Sequence, residues 1–448
     1  MANVAGLKTT LKILFFSHYF PPEGNAPASR TYEHAVRWVD AGQDVTVITC
    51  APNVPTGRIY EGFKNRFWPQ NEVVDGIQVI RVWSWVRPNP GKIDLMLNYL
   101  SYLFTAVFAA VFFVRRPTVV VATSPQFFCG WAGLITSWLK WRPFVLEIRD
   151  IWPESIVAVG AMREGFFVNC LKVAEKLMYR GANHIVAVGE GYKQKIEERI
   201  GPSERISVLM NGVDPEKFKP TPRDPEFQEK WGLVDRFVCS YVGTVGLAHG
   251  LDVTIRAAKL LKARGRDDIA MLIVGDGARR QQLEQLARDE GVDDLVIFTG
   301  RVDRAQVPEI LANSTCCLVH LSGNELFKTV IPSKIFETMA MCRPIIMGVE
   351  GQASKIVETA GAGIPMTPDN DHELAELLIQ LADDPIETQE KGRRAREFVT
   401  KHFNRTRFAA QYLRLLEGIV SGKRVHVASS WNDDNESSQK LATYSDVS

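Results

Sequence analysis

In the stretch Val330-Ile331-Pro332-Ser333-Lys334-Ile335-Phe336-Glu337-Thr338-Met339-Ala340, a lysine and a glutamate stand three residues apart. On a helix that spacing puts Lys334 and Glu337 on one face. Pro332 suits the first helical turn, where a missing N–H costs little. Lys334 then falls near the helix N-terminus, where the macrodipole disfavours a cation. A bound diphosphate reverses that penalty, because it uses both the ammonium and the free N–H groups. A carboxylate at Glu337 can accept hydrogen bonds from two adjacent sugar hydroxyls. The equal alternative is a surface Lys334–Glu337 pair worth about 0.2–0.5 kcal/mol. A capping box between Ser333 and Glu337 is excluded, since their spacing is four rather than three.

Two glycine turns could serve the same anion. The apolar run FVCSYV opens onto Gly243-Thr244-Val245-Gly246, with a helix expected from about Gly250. Glycines in a strand-to-helix turn let backbone N–H groups approach a phosphate closely. Gly275-Asp276-Gly277 repeats the device one unit later. Neither is the G-x-G-x-x-G dinucleotide fingerprint, and tight packing of a turn explains each equally well.

Positioning these residues takes strands and helices in alternation. Strands are expected at Lys12–Ser17, Asp44–Thr49, Ile77–Val82, Thr118–Thr123, Phe144–Ile148, His184–Val188 and Arg205–Leu209, with amphipathic helices at Ala28–Ala41 and Glu164–Arg180. The rhythm restarts with strands Phe237–Val242, Ala270–Gly275, Leu295–Thr299, Thr315–His320 and Pro344–Met347, and helices near Asp252–Arg264, Ala278–Asp289 and Ala305–Ala312. Near-continuous apolar strands alternating with helices mean parallel sheets covered on both faces. The division expected is one α/β domain over residues 1–212, a proline-rich linker over 213–235 and a second α/β domain over 236–402. A helix over 403–420 and a disordered polar tail over 421–448 complete it. Ligand sites of such domains lie at the carboxyl ends of the strands.

Composition agrees. The 448 residues are 46% hydrophobic and 23% charged, which excludes wholesale disorder, a collagen-like chain and a multi-span membrane protein. Lys+Arg number 53 against 52 Asp+Glu, so there is no general electrostatic attraction to nucleic acid. The seven cysteines form no C-x-x-C pair and read as buried, reduced thiols. The N-terminus is too weakly apolar before Leu11 for a signal peptide, and a cytoplasmic location is expected.

The order strand–GTVG–helix, strand–GDG–helix, FTGRV, a strand reaching His320, PSKIFETMA and CRPII resembles the donor-binding half of retaining glycosyltransferase family 4. SHYFPPEGNAPASRTYEHAVRWVDAGQDVTVIT resembles that family's first loop and helix, and NGVD at Asn211–Asp214 resembles the start of its interdomain linker. The match runs from roughly Leu11 to Ile419. HYFPPE with RDIWPES is most similar to bacterial O-antigen and exopolysaccharide enzymes related to L-fucosamine transferases.

The resemblance implies a GT-B fold: two Rossmann-like doubly wound domains facing a cleft, the last helix crossing back to the first. It implies a nucleotide-diphosphate sugar donor, a UDP-sugar foremost and an N-acetylated amino sugar among them, and no cofactor or metal. Glu337 would hold the ribose. Lys334, Ser333, Gly275 and the amides around Gly243, Thr244 and Gly246 would hold the diphosphate, with Lys334 meeting the charge of the leaving group. Arg301 and Val302 would flank the base, Gly24 and Asn25 would close over the donor, and Asp150 would face the transferred sugar or the acceptor hydroxyl. For Asp150 the alternative is a strand-end carboxylate paired with Arg149 or capping a turn.

The sequence departs from the family pattern in two places. Thr329 stands where many members carry a second glutamate, and Thr244 and His249 stand where many carry an arginine and a lysine. These departures motivate one rival reading, a non-catalytic nucleotide-sugar-binding scaffold; another is a nucleotide-sugar 2-epimerase of the same fold. Finally, Ile93–Val114 is 22 residues long with Asp94 its only charge. Its length qualifies it to cross a membrane, but strands before and after it should share one sheet. That leaves a buried helix or one docked at the membrane surface beside Trp131, Trp138, Trp141, Arg115, Arg116, Lys140 and Arg142. Docking would suit a polyprenyl-diphosphate-linked saccharide acceptor at the inner face of the membrane.

Overall fold

The computed structural model describes residues 10–54, 56–88, 91–154 and 165–423, which form two compact units. The leader and tail readings, and the end of RDIWPES, fall largely outside the described residues. Unit 1 runs to residue 210 and takes up the chain again from 406. Its elements are β1 (Lys12–Phe16), α1 (Ala26–Asp40), β2 (Asp44–Cys50), β3 (Gln70–Val74), β4 (Ile77–Val82), α2 (Lys92–Phe113), β5 (Val119–Thr123), α3 (Phe127–Lys140), β6 (Phe144–Ile148), α4 (Phe166–Gly181), β7 (His184–Ala187), α5 (Glu190–Ile200) and β8 (Ile206–Val208). The sheet order is β3-β4-β2-β1-β5-β6-β7-β8, parallel throughout except for β3, which runs antiparallel to β4. Sequence reasoning missed β3 because QNEVV is polar and half exposed, as an edge strand can be.

A buried ion pair lies among the strand ends. Arg30 Nε meets Glu147 Oε2 at 3.2 Å, while its terminal nitrogens donate to the carbonyls of Met210 and Leu209. The Thr123 hydroxyl donates to the other Glu147 oxygen at 2.8 Å. The HYFPPE loop is pinned likewise. Buried Glu23 accepts from the backbone N–H groups of Asn53, Val54 and Phe20, and burial raises its pKa against these bonds.

Unit 2 comprises α6 (Pro225–Lys230), β9 (Phe237–Val242), α7 (Asp252–Ala263), β10 (Ile269–Val274), α8 (Arg280–Asp289), β11 (Val296–Gly300), α9 (Val307–Ala312), β12 (Cys316–His320), α10 (Lys334–Ala340), β13 (Ile345–Gly348), α11 (Gln352–Thr359), β14 (Gly363–Pro365), α12 (Asp371–Asp383) and α13 (Pro385–His402). Its parallel sheet, β11-β10-β9-β12-β13-β14, reverses direction of growth between β9 and β12, the place where such sheets bind ligands. Helix α6, capped by Asp224, lies inside the stretch read as linker; its prolines and charges hid a turn that buries Gln228 against Asn313. Pro332 precedes α10 rather than opening it, and Ser333 is the residue before the first helical one.

The last helix, α14 (Arg405–Ser421), belongs to unit 1 from residue 406, as the implied fold requires. Trp38 Nε1 donates to Ala409 O at 3.0 Å, Tyr412 meets the Trp38 ring edge-on, and Leu415 and Leu416 are buried with strands β1, β2 and β5. The cysteines are all unpaired, and five are buried; Cys170 is exposed on α4, contrary to expectation, because its position falls on the helix's outer face.

Helix α2 is neither wholly buried nor free. Asn98, Tyr102, Ala106, Ala109 and Ala110 turn inward, while Ile93 and Phe112 are 77% and 70% exposed and Leu97, Phe104 and Phe108 also face outward. β1 pairs directly with both β2 and β5, so both flanks of α2 join one sheet. Lys140 differs from expectation. Its ammonium donates to the carbonyls of Val111 and Val114, closing the end of α2 instead of standing free.

Removing one member of the buried ion pair tests its weight. Arg30→Met leaves Glu147 buried with only Thr123, and should cost about 3–5 kcal/mol of unit 1 stability. Denaturant unfolding that shows less than about 1 kcal/mol of loss contradicts this account.

Candidate active site

In unit 2 the loop after β9 and the loop after β10 lie against each other. Gly243 has φ +151° and Gly275 φ +141°. A Cβ on Gly275 would sit 1.8 Å from Gly243 O, and one on Gly243 would sit 2.6 Å from Lys334 Nζ. Glycine is required at 275 by a backbone contact, which no side-chain shift relieves. The N–H groups of Gly243 and Val245 donate to Val274 O and Asp276 O. They are therefore not free for a phosphate, which corrects part of the glycine-loop reading. Among the described residues, the amides of Thr244 and Gly246 have no such partner.

Lys334 is brought to this loop by α10. Its ammonium is shut from solvent, has no hydrogen-bond partner, and lies 3.8 Å from the centroid of the Tyr241 ring. Burial pushes its pKa down to about 7, partly opposed by the charges of Glu337 and Cys317. Tyr241 donates its hydroxyl to Thr244 O at 2.8 Å, tying ring and loop together. The cation–π contact returns only part of the lost hydration. An anion at this loop would supply the rest.

Glu337 does not pair with Lys334. Its Oε1 accepts from Arg304 at 3.0 Å, which removes the simple surface-pair alternative. Sequence reasoning missed Arg304 and singled out Arg301 and Val302. Arg301 is exposed, and Val302 packs partly buried beside the cluster of Leu233, Val238 and Ile310. The signal for Arg304 was present, since Asp303 and Gln306 form a reciprocal capping box around the turn that carries it.

His249 shares the Tyr241 ring with Lys334. Its Nδ1 is buried without a partner, and burial with the nearby Lys334 charge pushes its pKa down to about 4. Its carbonyl accepts from His320 Nδ1 at 2.7 Å, and His320 Nε2 accepts from Asp369 N–H. The Lys334 ammonium and the uncharged His249 imidazole thus share one ring at the sheet's reversal point. Glu325 takes no part; it is exposed and paired with Lys328.

The unit 1 residues are placed differently. Asn25 caps α1, its side chain accepting from Ala28 N–H at 2.9 Å, a structural duty not foreseen. Gly24 is exposed and has open space around its missing Cβ. Asp150 lies two residues past β6, half-buried, and its charge helps raise the pKa of Tyr192 after burial. The cavity beside it is only about 10 Å³, too small for a sugar.

Two doubly wound parallel sheets, with the final helix returned to the first, define the GT-B fold. HepE of Anabaena, solved with UDP and glucose, superposes at a TM-score of 0.69 and 20% identity over 91% of this chain and all of that one. Residues 25–212 match the family described as "Glycosyl transferase 4-like domain", and residues 223–398 match "Glycosyl transferases group 1". Among characterised relatives, the alpha-D-kanosaminyltransferase of Streptomyces kanamyceticus is 28% identical over 48% of this chain and 55% of its own length. The GDP-mannose-dependent alpha-(1-6)-phosphatidylinositol monomannoside mannosyltransferase of Mycobacterium tuberculosis is 26% identical over 55% of this chain and 66% of its own. The matched stretches span between half and two thirds of these relatives. Both halves of the chain thus match glycosyltransferase domains, and the fold is GT-B.

The buried ammonium has a thermodynamic signature. Its folded pKa of about 7 lies below the ordinary 10.5, so the unfolded chain holds more protons between those values. Stability of the ligand-free protein should therefore rise with pH through that window, and Lys334→Met should flatten the rise. Unfolding midpoints at pH 7 and 9.5 that shift equally in both proteins overturn the assignment.

Proposed function

We propose that the protein transfers a sugar, with retention, from a nucleotide-diphosphate sugar to a lipid-linked saccharide in O-antigen or exopolysaccharide biosynthesis. The carrying observation is the unpartnered Lys334 ammonium held at the glycine loop, with His249 beside it and Glu337 three residues along α10. An arriving diphosphate would give that ammonium its counter-charge, and the same ammonium would meet the charge that grows on the leaving group. Glu337, oriented by Arg304, would take the ribose hydroxyls. This arrangement supports a donor site without a resident metal. The departing phosphate oxygen would take the acceptor proton on the same face, and Asp150, at the carboxyl end of its sheet, would face the transferred sugar or the acceptor.

A UDP-sugar, with N-acetylated amino sugars among the candidates, is the donor we favour; the Anabaena neighbour holds UDP. The HYFPPE and RDIWPES segments support a branch near the L-fucosamine transferases. A lipid acceptor is supported by the outward apolar face of α2 and by a relative named for a phosphatidylinositol substrate. Peripheral attachment, proposed at the cytoplasmic face of the inner membrane, is supported by that face together with exposed Arg115, Arg116 and Arg142.

Lys334→Ala and Glu337→Ala should each lower donor kcat/KM roughly ten- to hundredfold while the fold persists. Calorimetric UDP titrations unchanged in both variants would sink the donor assignment. Sugar interconversion without acceptor would establish the epimerase instead, and binding without any turnover the scaffold.

Liposome flotation tests the membrane face. Attachment to anionic vesicles should weaken with salt, each arginine contributing ~1 kcal/mol near the surface. It should also fail in a Leu97→Glu/Phe104→Glu variant. Flotation that resists both salt and alkaline carbonate would overturn the peripheral reading.

A further inference from the structure

At the carboxyl ends of β1, β2 and β4 lies a cavity of about 170 Å³ that the donor site does not use. At roughly 30 Å³ per water it corresponds to five or six waters, the scale of a single hexose. His18, Tyr19, Asn53, Trp85, Asn98 and Tyr99 line it. His18 is 3% exposed, and its Nδ1 has no partner. The rings of Tyr19, Tyr99 and Tyr102 stand edge-on around it at 4.8–5.5 Å. Burial keeps the imidazole neutral, pushing its pKa to about 3 against a pull from Asn98.

We infer that this cavity is the subsite for one neutral pyranose ring of the acceptor saccharide, a conclusion that rests on the glycosyltransferase reading above. Its aromatic walls suit the C–H face of a sugar, while two carboxamides and an uncharged imidazole suit hydroxyls. Among the described lining residues the single charge is Arg87, whose guanidinium lies 5.0 Å from the Trp85 ring. A diphosphate would need more. Position supports the same occupant. Leu95, Asn98 and Tyr99 belong to α2, so one helix lines the cavity and also presents the outward apolar stripe of Leu97, Phe104 and Phe112. A saccharide in the cavity would keep its lipid along that stripe.

The full-length protein is titrated with neutral methyl glycopyranosides of several configurations, read by saturation-transfer NMR, and with UDP by calorimetry. Tyr99→Ala and Trp85→Ala should weaken pyranoside binding roughly tenfold or more, Tyr99→Phe should retain it, and UDP affinity should stay the same in all three. If Trp85→Ala loses its fold by circular dichroism, the Tyr99 pair decides. Pyranoside binding equal in wild type and Tyr99→Ala, no pyranoside binding to the wild type, or farnesyl diphosphate displacing the sugar each overturn the inference. A wild type that binds pyranosides but not UDP overturns the donor reading instead.

Discussion

An ammonium group without a hydrogen bond, enclosed by a tyrosine ring and a glycine turn, is what the donor half of this protein is built around. Burying a charge is costly unless something compensates it. Here the compensation is partial: the Tyr241 ring lies below Lys334, and Glu337 is held off by Arg304. The neighbouring residues follow from that arrangement. Gly243 leaves room for Nζ, Gly275 leaves room for Gly243, and the Tyr241 hydroxyl fixes the turn at Thr244. The glycines act first by providing clearance, and only two of the loop's amides remain unclaimed.

The first unit spends its buried charges in another way. Glu23 holds three backbone N–H groups, and the Arg30–Glu147 pair gathers the ends of β5, β6 and the chain beyond β8. Those groups are satisfied, and they stiffen the loops at the strand ends. A satisfied charge positions its surroundings; an unsatisfied one waits for a ligand. That contrast separates framework from site without reference to any relative.

Much of this was legible in the sequence, and the remainder was hidden for identifiable reasons. Parallel strands announce themselves as apolar runs, so Ile77–Val82, Phe144–Ile148 and Phe237–Val242 were placed to the residue. The antiparallel edge strand QNEVV was not, because half exposure erases the apolar run. Lys334 and Glu337 could be named from helical spacing, yet their partners could not. Arg304 and Tyr241 reach them from β-strand ends distant in sequence, and only the sheet order of β9, β10 and β11 brings those ends together. Asn25 shows the reverse case, since the side chain of a residue given a ligand role also caps α1.

The apolar helix α2 shows why hydropathy alone cannot decide between core and membrane. Its composition passes the test for a span, with a mean hydropathy of 1.8, but only a third of that segment is buried. A core helix of a soluble protein would hide more of it, and a spanning helix could not return its chain to β5 beside β1. What distinguishes the cases is the division of the helix into faces. Alanines and Tyr102 pack inward, where close approach to α3 and the sheet rewards small residues, whereas Phe104 and Phe112 face outward and Phe108 and Phe113 meet the exposed Trp68 ring. Lys140 takes two carbonyls at the helix end, those of Val111 and Val114, and the outward face carries Leu97, Phe104 and Phe112 as apolar surface. Such a surface can lie against lipid without exposing a polar group to it.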